Sequence, residues 1–190
     1  MVVAVFVLML ASFVVASMRR PQIPSGTITP PNPVAIGDTL VGPATVTVDA
    51  TAQDGWTFFD FSRNSALSVA APADWDLAFK RFYVIANGGA GFEGRGGILD
   101  LGKVAFDSVT AVPDTGYALT DKDSVNAAIR RWYDYGFTSH LLPSKHHVYA
   151  VRTADGKYAK IEITSYYCGE AQPGCLTFKY VYQGNGSRRF

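Results

Sequence analysis

A mainly β fold is predicted for this chain: an antiparallel β-sandwich domain with one short helix, preceded by an N-terminal transmembrane helix. Three observations predict it. Apolar and polar residues alternate with period two through much of residues 44–190, as strands with one buried face require. Turn signals punctuate those runs, the clearest being Ala154-Asp155-Gly156. An uncharged apolar run fills residues 2–18. The length of 190 residues leaves room for one ordinary domain of about 150 residues plus an appendage.

Composition narrows the function classes. Lys+Arg 17 against Asp+Glu 16 gives a net charge of +1, which argues against nucleic acid as a partner, since that calls for a clustered basic surface. A hydrophobic fraction of 48% with only 17% charged residues excludes disorder of the whole chain. Two cysteines are too few for a disulfide scaffold or a four-thiolate metal site.

Residues 1–20 read as a membrane anchor. The run VVAVFVLMLASFVVASM carries no charge, Pro or Gly, and Val2, Phe6, Leu10 and Phe13 would face lipid. As helix it spans about 26 Å, and snorkelling Arg19 and Arg20 would cover the shortfall against a core of about 30 Å. A cleavable signal peptide is the rival, but it expects a positive segment ahead of the apolar run, and nothing positive precedes Val2 except the amino terminus. The two arginines alone would place their side in the cytoplasm, whereas the cysteines below point outside. The expectation is a single-pass bacterial membrane protein with its C-terminal domain in the periplasm or outside the cell.

Residues 21–43 hold six of the ten prolines and no aromatic residue, the composition of a proline-rich linker or a strap. Residues 44–190 hold 23 of the 25 aromatics and form the β domain. Strands are expected over 45–49, 56–61 and 75–85, where Trp75, Leu77 and Phe79 share a face, and again over 103–109. A hairpin runs from His147 to Tyr166 through Asp155-Gly156, and Leu176, Phe178, Tyr180 and Tyr182 align on one face of a last strand. The short helix is expected over 120–136, with a capping box at 120–123, Val125, Ile129 and Trp132 at helical spacing and Gly136 as its stop.

Several motifs bear on chemistry. The run 89–94 matches G-x-G-x-x-G, but a strand-like segment follows it and no helix N-terminus is there to meet a phosphate, so it reads as a glycine loop. Cys168 and Cys175 flank a turn-rich loop that a disulfide would close, which implies an oxidising compartment. His140, His146 and His147 fall within eight residues, the residue type that haem iron or a transition metal requires. On a strand His146 and His147 would face opposite ways, so at most one could join His140; surface or capping roles are the alternative. Tyr166, Tyr167, Tyr180 and Tyr182 could line a groove for a flat ligand or belong to the core. No catalytic constellation emerges: G-x-S-x-G and H-E-x-x-H are absent, and the paired acids Asp74/Asp76 and Asp121/Asp123 fit turn and helix-start roles.

Three stretches together resemble the HmuY family of bacterial haem-binding proteins. They are 75–81 (WDLAFKR) leading to 87–89 (NGG), 148–160 (VYAVRTADGKYAK) into 163–166 (ITSY), and 176–180 (LTFKY). The resemblance implies a predominantly β fold beyond the cytoplasmic membrane and a haem pocket in which iron sits between two side chains, commonly histidines. Family members are typically lipoproteins, whereas this chain has no cysteine near its start to accept lipid.

Two functions follow as expectations. The first is a non-enzymatic accessory subunit, anchored in the bilayer and docked on integral membrane subunits of a larger electron-transfer, photosynthetic or transport complex, with no cofactor required. The second is a tethered haem- or tetrapyrrole-binding protein with His140 and one of His146 or His147 as ligands.

Overall fold

The computed structural model describes residues 2–18, 23–32, 39–67, 69–121 and 125–190. It places a helix α1 at Val2–Met18 and nine strands: β1 Leu40–Asp49, β2 Thr57–Asp60, β3 Ser65–Leu67, β4 Leu77–Lys80, β5 Tyr83–Ala86, β6 Gly97–Asp100, β7 Val148–Arg152, β8 Tyr158–Tyr167 and β9 Pro173–Gln183. Two antiparallel sheets result. One has the order β1-β9-β8-β7-β6 and the other β3-β2-β4-β5.

The core is what period-two patterning dictates. Val46 and Val48 of β1, Ile161 and Ile163 of β8, and Leu176, Phe178, Tyr180 and Tyr182 of β9 turn the same way. They meet Phe59, Leu77, Phe79 and Val84 from the second sheet. Phe59 sits edge-on to Phe178 at 5.2 Å between ring centroids, and Phe79 stacks on Phe178 at 5.5 Å. The β7–β8 hairpin turns as expected: Thr153 N donates to Lys157 O, and Gly156 holds φ +87, a left-handed conformation that favours glycine.

Residues 23–32 lie on the domain itself. Gly26 N donates to Tyr167 O (3.1 Å), Thr29 N to Thr47 O (2.9 Å) and Asn32 N to Ser65 Oγ (2.8 Å). This strap therefore ties β8 and β1 of one sheet to β3 of the other. The strand that opens the domain begins at Leu40, four residues before position 44.

No helix among the described residues is long and apolar enough to cross a membrane; residues 2–18 of the anchor expected over 1–20 form a 17-residue apolar helix. Phe6, Leu10 and Phe13 are exposed on it, while Arg19 and Arg20 lie outside the described residues.

Three expectations within the β domain need correction. The short helix over 120–136 is one turn among its described residues. Asn126 N donates to Val84 O, and its side chain donates to Ala118 O and accepts from Ala128 N. That fully buried Asn126 pins the chain to β5 instead of letting it wind. Residues 103–109 are not a strand; they contain a 3₁₀ turn at Phe106–Ser108. Lys160 Nζ takes the carbonyls of Phe106 (2.9 Å) and Val109 (2.7 Å), acceptors that a neighbouring strand would otherwise use. Trp75 does not share the face of Leu77 and Phe79. It precedes β4 and packs on the outer face of the second sheet with Phe58, Ala78, Ile85 and Phe92.

Candidate functional site

Beyond the single turn at 126–132 the chain leaves the sandwich as a hairpin-like arm, residues 132–145. Its root is Trp132, buried, with Nε1 donating to Phe82 O at 3.0 Å. The two limbs are tied by Lys145 N to Trp132 O (2.9 Å), Asp134 N to Pro143 O (2.9 Å) and Gly136 N to Leu141 O (2.8 Å). Half-buried Leu141 and Leu142 pack on the core, so the arm's inner side is apolar. Its tip faces solvent: Tyr135 is 57% exposed and Phe137 84%.

His140 sits at that tip with φ +55, and its Nδ1 meets the Tyr135 hydroxyl at 2.5 Å. In the tautomer that donates from Nδ1 to the phenol oxygen, Nε2 presents its lone pair outward, the atom that would bind a metal. The other two histidines are held elsewhere. His146 Nδ1 pairs with Glu162 Oε1 at 2.8 Å, and His147 Nδ1 pairs with Asp100 Oδ1 and Oδ2, both at 3.0 Å. Each is a carboxylate–imidazole pair that fixes Nδ1 as a donor. The structure thus gives the three imidazoles three separate oxygen partners and does not assemble a two-histidine clamp. Among the described residues no group of three or more His, Cys, Asp or Glu is arranged to hold a metal ion.

Two clefts lie away from the arm. One of about 680 Å³ opens between the strap and β3, lined by Ile28, Pro31, Thr57, Arg63, Leu67 and Val69 among others. Its volume suits a small molecule, yet no described lining residue is a His, Met, Cys or Tyr that could ligate haem iron. A smaller one, about 180 Å³, is lined by Asp60, Asp74, Asp76 and Asp155 with Arg63 and Tyr182. Desolvation pushes Asp76 up to about 7, the neighbouring Asp60 carboxylate adds to the rise, and amide donors from Phe61 and Ala154 oppose it.

Of the expected tyrosine groove, Tyr180 and Tyr182 are core residues, while Tyr166 and Tyr167 lie beneath the root of the arm. There Tyr167 Oη accepts from Leu142 N at 2.7 Å. Cys168 and Cys175 form the expected disulfide, with Cα atoms 4.9 Å apart. It closes the loop between β8 and β9.

A family model described as HmuY protein matches residues 52–180. This chain belongs to the HmuY family. The solved structures similar to it include the apo HmuY analogue of Tannerella forsythia, at 19% identity and a TM-score of 0.62, covering 76% of this chain and 96% of that one. A protein of Bacteroides vulgatus described as a HmuY-like haem-binding protein shows 23% identity and a TM-score of 0.59, covering 78% of this chain and 98% of that one. Apo PinO from Porphyromonas gingivitis shows 14% identity and a TM-score of 0.59, covering 77% and 98%. At these identities the structural likeness shows the fold. No curated protein matches the chain. Nothing in these findings supports an accessory subunit of a larger membrane complex.

The fit of haem can be judged on the donor chemistry. The arm offers one imidazole whose second nitrogen is free to bind, which suits one axial ligand. Sequence reasoning singled out His140 but missed Tyr135 and Phe137. The expected helix over 120–136 hid Tyr135, because an apolar residue there reads as a buried helix face, and Phe137 lies just past its stop with no pattern to mark it.

Proposed function

We propose that this protein is a non-enzymatic haem- or tetrapyrrole-binding protein of an oxidising compartment, and that His140 on the arm is an axial ligand. The observation that carries the reading is the exposed tip of residues 135–140, where the Tyr135 hydroxyl meets Nδ1 of His140 and leaves Nε2 to bind. Family membership and the haem-binding description of the Bacteroides vulgatus neighbour support the ligand class, and the disulfide supports the compartment.

The bound group would supply iron and its redox chemistry. The chain's own residues would offer His140 as a ligand and orient its imidazole through Tyr135. Titrating hemin into the full chain should give a Soret shift, and His140→Ala should weaken binding by at least about tenfold. His146→Ala and His147→Ala, tested alongside, report whether either supplies a second ligand. No Soret shift in the wild type removes the reading.

A further inference from the structure

Beneath the arm lies a cluster of aromatic rings contributed by Phe82, Trp132, Tyr133, Tyr166 and Tyr167. Tyr166 is central to it, with ring centroids 6.3 Å from Phe82, 6.1 Å from Trp132 and 5.5 Å from Tyr167. Trp132 and Tyr133 are 5.2 Å apart, and Tyr133 meets Phe82 at 5.6 Å. The Tyr166 side chain is 2% exposed, and its hydroxyl is a buried polar atom with no hydrogen-bond partner in the structure. Such a group costs the folded state the full desolvation of an O–H, and native proteins rarely leave one unmatched without a use for it.

The arm beside this cluster is held to the body at its root by Trp132 Nε1 to Phe82 O and along its inner side by Leu141 and Leu142. The limbs of the arm bond mainly to each other, and the outer limb meets the body through Leu142 N to Tyr167 Oη and Ser144 Oγ to Ile163 O. Residues 135–140 at the tip make their bonds within the arm. Both His140 and His146 hold left-handed φ values (+55 and +54), so the arm is bent at its tip and at its return to the sheet by non-glycine residues.

We propose that the arm is a flap over this aromatic cluster, and that Tyr166 is the buried donor there for a carboxylate of a planar aromatic ligand. The claim rests on the tetrapyrrole reading and adds to it a second point of attachment. The ring system would slide between the lifted arm and Phe82, stacking on Trp132 and Tyr133, while its acidic edge reaches the phenol. Burial pushes the Tyr166 hydroxyl above its ordinary range, so it remains a neutral donor and not a phenolate that could ligate iron. Arg81, whose charge is felt at Tyr166, favours an anion at that end. Lifting the arm exchanges an orphaned hydroxyl for a satisfied one, so ligand binding selects the open arrangement.

Hemin, metal-free protoporphyrin IX and its dimethyl ester, which lacks free carboxylates, test this on full-length wild type and Tyr166→Phe. Tyr166→Phe should weaken hemin and protoporphyrin alike by about tenfold, the loss expected for one hydrogen bond to a charged acceptor. The dimethyl ester should bind the wild type about as weakly as protoporphyrin binds the variant. The unliganded variant should melt a few degrees higher than the wild type, because its buried orphan is gone. Equal affinities in both proteins overturn the proposal and leave the haem reading standing. Weakening of hemin alone also overturns it, since that outcome assigns Tyr166 to iron. An ester that binds the wild type as tightly as the free acid overturns it without any variant. Wild type that binds none of the three removes the proposal together with the haem reading.

Discussion

Asp76 holds its carboxylate in the interior, where Oδ2 accepts from Phe61 N and Oδ1 from Ala154 N, each at 2.9 Å. Those donors come from β2's end and from the β7–β8 turn, so a single side chain fastens the two sheets. Desolvation, followed by Asp60, pushes its pKa up to about 7, against about 3.9 in an unfolded chain. Between those values the folded protein keeps a proton that the unfolded chain has released. The contribution of this group to stability is therefore complete below about pH 4 and is lost as pH rises through about 7, on the order of a few kcal/mol across the window. Denaturant midpoints measured from pH 5 to 8 should fall for the wild type, and Asp76→Asn should flatten that slope. An unchanged slope in the variant would sink the assignment. In sequence Asp76 reads as half of a turn pair with Asp74, because its partners lie 15 and 78 residues away and no local pattern announces them. The same holds for the orphaned Tyr166 hydroxyl: its position in a strand was legible, its lack of a partner was not.

Strands whose faces differ in burial could be read directly. Leu176, Phe178, Tyr180 and Tyr182 all enter the core, and the β7–β8 hairpin turns where Asp155-Gly156 places it. Elements whose conformation is imposed by a distant group could not. The strand-like pattern at 103–109 yields to the Lys160 ammonium, and the helical spacing of Ile129 and Trp132 survives as burial while Asn126 prevents the helix. The arm was invisible for that reason, and with it most of the candidate site. Cys168–Cys175 is an element-scale feature that local spacing did reveal. Closing so short a loop stabilises by about 2 kcal/mol in the chain-entropy picture. Replacing both cysteines with serine should lower unfolding stability by about that amount and abolish any effect of reductant on the melting temperature. A wild type indifferent to reductant would contradict the bridge.

At the scale of the whole molecule the strap decides how the sheets are held. Gly26 lies against the hydrogen-bonded hydroxyls of Thr47 and Thr177, 2.9 Å apart; a Cβ there would lie 2.3 and 2.2 Å from the two Oγ1 atoms. Gly26→Val must therefore push residues 23–32 off β1 and β9. It should cost about 2 kcal/mol, read as a lowered denaturant midpoint, and raise protease cleavage within 23–32. Retained stability would mean that the strap rests on the domain without supporting it. The arrangement also reaches beyond the finished fold. Leu40 of the first strand pairs with Gln183 of the last, and the strap waits on Ser165 and Tyr167. A nascent polypeptide wired in this way cannot complete the larger sheet until its final stretch has left the ribosome. Until then β1 and β8 have no strand between them, and the larger sheet stays in two pieces.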